Sequence, residues 1–319
     1  MKLLLTGASG FVGLNMLEKL SGYDLHVISR SNNGRFNDFK GLSFFQNEID
    51  ADTNYNDALT NRDVIIHCAA RAHIMSDEAL EPLAEYRKVN TSGTMNLARQ
   101  AVRSGIKRFI YISSIKVNGE STELNKPFKS SDNRVPKDFY GQSKSEAEVQ
   151  LLQLSKETGL EVVIIRPTLV YGPGVKANFA SLMNHVSKGF PLPFRCITKN
   201  MRSLVSVKNL VDLIVTCIEH PKAANQVFLV SDDHDISTAS MVKHMSQALG
   251  KSRTLLPVPL WCYRLFGKLV GKADLVNRLL GSLQVDITHT KETLGWVPPQ
   301  TLEEGFKETA EAFLLNKNK

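Results

Sequence analysis

Short, unbroken apolar runs alternate with segments of helical period along the first half of the chain. The runs "KLLLTG" (2–7), "LHVIS" (25–29), "DVIIHCAA" (63–70), "RFIYISS" (108–114) and "EVVIIRP" (161–167) read as strands. Between them, "GFVGLNMLEKLSG" (10–22), "RKVNTSGTMNLARQAVRSG" (87–105) and "YGQSKSEAEVQLLQLSKETG" (140–159) repeat their apolar positions every three to four residues and read as helices. The strand runs lack the clean period of two shown by a sheet with one wet face. They therefore predict a parallel sheet buried on both sides by helices. Right-handed crossovers make that sheet doubly wound, so the fold class is α/β.

Beyond Pro167 the texture changes. "YGPGVKANF" (171–179) and "KGFPLPF" (188–194) are rich in proline and glycine, while "LVDLIVTCIEH" (210–220) reads as a helix and "QVFLVSD" (226–232) as a strand. The expected organisation is a first domain over 1–167 and a smaller, interleaved lobe over 168–319, with the main sheet reclaiming part of 204–231. "TLGWVPPQTLEEGFKETAEAFLL" (293–315) predicts a turn followed by an amphipathic helix.

Composition narrows the classes. Of the 319 residues, 42% are hydrophobic and 22% charged, as in ordinary globular chains. No apolar run approaches the ~20 residues of a membrane span, and the apolar part of "MKLLLTG" is too short for a secretion signal. Cys68, Cys196, Cys217 and Cys262 form no CxxC pair and no zinc spacing. Free thiols in a reducing cytoplasm are the expectation, with no metal site. The net charge of +7 comes without a long basic run or a nucleic-acid-binding signature, so nucleic acid is not an expected partner.

"TGASGFVG" sets Gly7, Gly10 and Gly13 between a strand and a helix. Glycines there allow a tight turn and a close backbone approach to a pyrophosphate at the helix N-terminus. The spacing is GxxGxxG, not the common GxGxxG. With this loop the chain resembles the extended short-chain dehydrogenase/reductase superfamily, the NAD-dependent epimerase/dehydratase family, whose members act on nucleotide sugars. The resemblance implies a Rossmann sheet with a C-terminal substrate lobe. It also implies cofactor contacts from Gly7, Ser9, Gly10, Phe11, Val12, Gly13, Arg30, Glu48, Ile49, Ala69, Ala70, Tyr140, Lys144 and Pro167.

The resemblance implies a Tyr-x-x-x-Lys pair and an upstream serine, and "YGQSK" and "YISSIKVNG" supply Tyr140, Lys144 and Ser114. Tyr140 and Lys144 lie four apart, on one helical face. A phenol is a poor base at neutral pH, and a neighbouring ammonium is expected to bring Tyr140 toward working range. Ser114 is assigned to the reacting oxygen and Ser113 to a turn. Asn90 in "VNTSGT" matches the family asparagine, with the positional task of shaping the helix beside the site.

The resemblance covers nearly the whole chain. It implies substrate contacts from Ser114, from Asn178 and Arg202 on a nucleotide diphosphate, and from Pro191 and Leu192, after Gly189, on the base. A 4,6-dehydratase of this family would follow its serine with Asp-Glu; here Ile115-Lys116 follow. Arg30 stands twenty residues past Gly10, where an acid would read the ribose of NAD. A cation suits a 2′-phosphate, and Arg35, Ser29 and Ser31 could assist. The expected cofactor is therefore NADP, with NAD the alternative.

The expected reaction is reduction of a UDP-4-keto-6-deoxy-N-acetylhexosamine at carbon 4 by an oxidoreductase similar to bacterial O-antigen and capsule enzymes. The alternative is a UDP-hexose 4-epimerase with bound NAD. Asn118, where epimerases commonly carry Tyr, weighs against the epimerase. A non-catalytic dinucleotide sensor is disfavoured by the intact Ser114, Tyr140 and Lys144. Lys116, Asn118 and the 73–85 loop are candidate pocket walls. Peripheral membrane contact through "LWCYRLFGKLVGKADLVNRLL" (260–280) competes with ordinary packing of that segment on a core. Family precedent implies a homodimer.

Overall fold

The computed structural model describes residues 1–32, 34, 36, 39, 41–72, 80–251 and 255–317, apart from the side chain of Asp274. Seven parallel strands run through its centre: β1 (Lys2–Thr6), β2 (Asp24–Ser29), β3 (Leu42–Gln46), β4 (Val64–His67), β5 (Arg108–Ile112), β6 (Glu161–Pro167) and, from the far end of the chain, β9 (Gln226–Val230). Their order is β3-β2-β1-β4-β5-β6-β9. All six pairings are parallel.

The unbroken apolar runs are explained by burial on both faces. Leu3, Leu5, Ile110, Val163 and Ile165 pack with Met16 and Leu17 of the helix Phe11–Leu17 and with Leu210, Leu213 and Ile214 of the helix Val207–Glu219. The intervening Leu4, Ile65, Phe109, Val162 and Ile164 face Leu97, Ala98 and Ala101 of the helix Thr94–Arg103 and Ala147 and Leu151 of the helix Phe139–Thr158. Because neighbouring strand residues point to opposite faces, both sets must be apolar. β3 escaped the sequence reading. It is an edge strand with partly exposed side chains, so "LSFFQ" carries no continuous apolar signal.

A second sheet, β10 (Asp235–Ile236), β8 (Arg202–Ser206) and β7 (Leu169–Tyr171), forms beyond the end of β6. Its core brings Tyr171 against Phe179 and Phe306, with ring centres 5.5 and 4.9 Å apart. The Tyr171 hydroxyl donates to Asp232 Oδ2 at 2.8 Å. The other oxygen of Asp232 accepts from Ser206 N (2.8 Å) and Asn209 Nδ2 (2.7 Å), tying β8 to the loop after β9.

The strand order reverses between β1 and β4. Chain connections diverge there, leaving a crevice at the C-terminal strand ends. Two local features shape its walls. The segment between β4 and β5 is not one helix: Pro82–Arg87 and Thr94–Arg103 are joined by a π-helical turn, Lys88–Gly93. The helix Phe139–Thr158 starts at Asp138, whose Oδ1 accepts from Gly141 N at 2.7 Å, and stops at Gly159, with φ +76°.

Candidate active site

The glycine loop closes against β4. Gly7 has φ +72°, and a Cβ on it would stand 2.6 Å from Ala69 N; a Cβ on Gly13 would stand 2.3 Å from Gly7 O. No side chain fits at either position. Gly10 is less confined, at 3.1 Å. Above the loop lies a crevice of about 510 Å³ lined by Gly7, Ser9, Gly10, Ser29, Arg30, Glu48, Ile49, Ala69 and Ala70. This cradle fits a dinucleotide: bare backbone faces the place for the phosphates, and polar side chains rim the far end.

Phe11 and Val12 begin the following helix and lean on the core, while Pro167 is buried at the end of β6. Ser29 donates to Ser9 Oγ at 2.9 Å, joining the end of β2 to the loop. Arg30 is exposed on the rim with no ion-pair partner among the described residues. Arg35 lies outside the described residues. Asn47, Cys68, Arg71 and Val89 also line the crevice and were not read from sequence; they flank motif residues but belong to no motif themselves.

Asn90 sits on the π-helical turn, fully buried. Its Oδ1 accepts from Arg71 N (2.8 Å), and its Nδ2 donates to Arg71 O (3.1 Å) and Ser143 Oγ (3.0 Å). The amide is fully used in clamping the stretch after β4 to the helix that carries Tyr140. That is a positioning arrangement.

The two serines after β5 have separate surroundings. Ser113 is buried and donates to Glu148 Oε1 at 2.6 Å. Ser114 caps the short turn Ile115–Val117, accepting from Lys116 N at 3.3 Å, and its hydroxyl proton has no acceptor among the described residues. Tyr140 is half-buried in the first turn of its helix, its ring edge-on to Tyr86 at 6.3 Å. Lys144, one turn on, is 1% exposed. Its Nζ donates to Ile112 O at 2.8 Å and lies 4.5 Å from the centre of the Tyr111 ring.

Burial lowers the Lys144 ammonium to about 8. Tyr140 departs from the sequence expectation: burial, then the charges of Asp138 and Tyr86, push its phenol up rather than down. The Lys144 ammonium is engaged with the Ile112 carbonyl. His67 is drawn down to about 3 by burial, then by Lys144, and is held by Thr6 Oγ1 (2.7 Å) and Thr94 Oγ1 (2.9 Å), so it is a neutral structural group.

Two expected pocket walls are otherwise employed. Lys116 is paired with Asp138 and Glu120, which steadies the helix start next to Tyr140. Asn118 is 2% exposed and accepts from Arg166 Nη1 at 3.0 Å, so it belongs to a buried polar network. Of the 73–85 loop, residues 73–79 lie outside the described residues. Arg166 itself donates to Glu148 at 2.9 and 2.5 Å, and Arg134 to the same carboxylate at 3.0 Å. Sequence reasoning missed this network, because its members lie far apart along the chain and share no motif.

In the smaller sheet, Arg202 begins β8. Its Nη1 donates to Arg278 O (2.7 Å) and Gly281 O (3.2 Å), with no carboxylate in reach among the described residues. Burial lowers its pKa. A half-buried guanidinium held by carbonyls has no neutralising partner among the described residues, and an anion would supply one. Asn178 is exposed in the first turn of the helix Ala177–Ser187, Pro191 is exposed, and Leu192 is half-buried with its carbonyl accepting from Leu256 N at 2.8 Å.

This constellation on a doubly wound sheet fits a dinucleotide-dependent enzyme. The model of the NAD dependent epimerase/dehydratase family matches residues 3–231, and the chain belongs to that family. It is 62% identical to a UDP-glucose 4-epimerase of Vibrio cholerae, over 99% of this chain and 97% of that one. It is 27% identical to the N-acetyl-alpha-D-glucosaminyl-diphospho-ditrans,octacis-undecaprenol 4-epimerase of Escherichia coli O157:H7, over 99% and 96%. Among solved structures, the UDP-glucose 4-epimerase of Thermotoga maritima with UDP-glucose superposes with a TM-score of 0.78 at 24% identity, covering 99% of this chain and all of that one. The UDP-glucuronic acid 4-epimerase of Bacillus cereus with NAD gives 0.80 at 20%, covering 99% of each. At those identities the structures speak for the fold alone. The comparisons favour the epimerase alternative over the reductase, and NAD over NADP.

Proposed function

We propose that this enzyme is a UDP-hexose 4-epimerase that works with bound NAD. The observation that carries this reading is the 62% identity to a UDP-glucose 4-epimerase over almost the full length of both chains. The site geometry is compatible with it. NAD, when bound, supplies an acceptor for the hydride of carbon 4 and gives the hydride back. The chain's own residues handle the proton and the positioning. Tyr140, as its phenolate, would take the proton of the carbon-4 hydroxyl and, as the phenol, would return it to the same oxygen. Ser114, whose hydroxyl proton has no acceptor among the described residues, would hold that oxygen. The Lys144 ammonium stabilises the phenolate form of Tyr140. Asn90 and Asp138 fix the helix that carries both. The smaller lobe built around β7, β8 and β10 would hold the nucleotide, and Arg202 suits its diphosphate. A cytoplasmic setting fits the four unpaired cysteines.

The test is to denature the purified protein, identify any released nucleotide, and assay it separately with UDP-glucose and with a UDP-4-keto-6-deoxy-N-acetylhexosamine plus NADPH. The expected result is retained NAD and interconversion of UDP-glucose and UDP-galactose without net oxidation. Stoichiometric NADPH consumption with no retained NAD would overturn the reading and give Arg30 a 2′-phosphate to bind. On the same reading, Arg202→Ala is expected to raise KM for the UDP-sugar by about tenfold to a hundredfold, the worth of a charge-assisted hydrogen bond, with a much smaller change in kcat. An unchanged KM would remove Arg202 from the diphosphate site.

A further inference from the structure

The segment 260–280 folds as a helical hairpin, Leu260–Leu269 and Ala273–Leu280, and turns much of its apolar surface outward. Trp261 is 64% exposed, Phe266 66%, Leu269 76% and Leu275 58%. Leu265 and Val270 are exposed beside them. This is not the pattern of helices packing on a core. The hairpin is nevertheless preformed: Gly267 is buried at the helix crossing, where a Cβ would stand 2.7 Å from Val276 Cγ2. Its second helix is joined to β8 by the bonds from Arg202 to the carbonyls of Arg278 and Gly281. Arg264, Lys268 and Lys272 stand exposed among the apolar side chains, and none has an ion-pair partner among the described residues.

We propose that this hairpin docks the enzyme on the surface of an anionic lipid bilayer, with Trp261, Phe266 and Leu269 entering the headgroup boundary. An interfacial helix combines large apolar and aromatic side chains with Lys and Arg that reach the phosphates. The first helix, at ten residues about 15 Å long, is suited to lying in the plane rather than spanning. Among the described residues no helix is long and apolar enough to cross a membrane. The three unpaired cations choose the lipid over a second copy of the chain. A two-fold interface would press this patch against its own image and bury like charges together, whereas interface cores are depleted of charge. The chain's net charge of +7 acts in the same direction. The proposal is independent of the reaction proposed above.

The test uses the full chain with phosphatidylcholine vesicles, with and without phosphatidylglycerol, read by co-sedimentation and tryptophan emission. The two tryptophans separate cleanly. Trp296 is 5% exposed and donates to Asp212 at 2.8 Å, so a blue shift on adding vesicles reports Trp261. Binding to anionic vesicles is expected to exceed binding to neutral ones by about tenfold or more, and to weaken with salt. Trp261→Ser with Phe266→Ser should lower it by about tenfold or more. Lys268→Gln with Lys272→Gln should remove about fivefold per cation. Because these side chains are exposed, Trp296 emission and activity in solution should stay unchanged in both variants. Equal binding to neutral and anionic vesicles, or full binding by the Trp261/Phe266 variant, overturns the proposal. So does a dimer, seen by light scattering, that this variant dissociates while the parent ignores vesicles; that outcome would assign the face to a second copy.

Discussion

Tyr140→Phe is expected to lower kcat about a thousandfold and leave the fold, the retained nucleotide and KM little changed. The substitution removes one oxygen. The ring keeps its edge-on contact with Tyr86 at 6.3 Å, and the backbone carbonyl of residue 140 still accepts from Ser143 Oγ at 2.8 Å. Positioned proton transfer is worth about 10²–10⁴ in rate. The size of the loss also reports on the raised phenol. Burial, Asp138 and Tyr86 favour the protonated form of Tyr140, so proton removal depends on charge placed close by. In the proposed mechanism that charge is the Lys144 ammonium, and with its own pKa lowered to about 8 it begins to lose its proton near that pH. The checks are steady-state kinetics with UDP-glucose and a melting curve of the variant. A fall of less than about tenfold in kcat would remove Tyr140 from the role of acid and base.

Glu148→Gln is expected to cost about 3–5 kcal/mol of stability, the usual penalty for breaking a buried ion pair from one side. The Glu148 and Arg166 side chains are 0% and 2% exposed. Glu148 accepts twice from Arg166, once from Arg134 and once from Ser113, and Arg166 uses a further nitrogen on Asn118. Removing the carboxylate charge strands a guanidinium in the core. Urea unfolding of the parent, of Glu148→Gln and of Glu148→Gln with Arg166→Met measures this, because the double variant removes both charges and should recover much of the loss. A cost below about 1 kcal/mol for Glu148→Gln would mean that water or Arg134 compensates and that the pair is not the keystone of this wall. Activity should also fall in the single variant, since Glu148 holds Ser113, the neighbour of Ser114, and sits one turn beyond Lys144.

The parts of this molecule legible in its sequence are those whose physics is local. A parallel strand covered on both faces has to be continuously apolar, so β1, β2, β4, β5, β6 and β9 could be read as runs of Leu, Ile and Val. The edge strand β3 could not, because it is only half covered. Gly7 and Gly13 were legible because a tight strand-to-helix turn leaves no room for a Cβ. Tyr140 and Lys144 were legible because a spacing of four places two side chains on one helical face. Asn178 and Arg202 became candidates for holding a diphosphate through family likeness alone.

Contacts between distant residues decided the rest. Glu148 and Arg166 are separated by eighteen positions and meet only because a helix lies over the end of β6. Asn118 left the expected pocket because Arg166 claims its oxygen. The phenol of Tyr140 is raised, against the simple Tyr/Lys expectation, because desolvation depends on everything packed around it. Whether the apolar residues of 260–280 face a core or solvent depends on how the hairpin is tied to β8, which no periodicity encodes. The sequence by itself therefore determined the layered parallel sheet, its glycine turn and the inventory of reactive side chains, since each follows from sterics or period over a few residues. Only the tertiary structure decided which of those side chains are spent on holding the fold and which are left for chemistry, because hydrogen-bond partners and burial are properties of the packed chain.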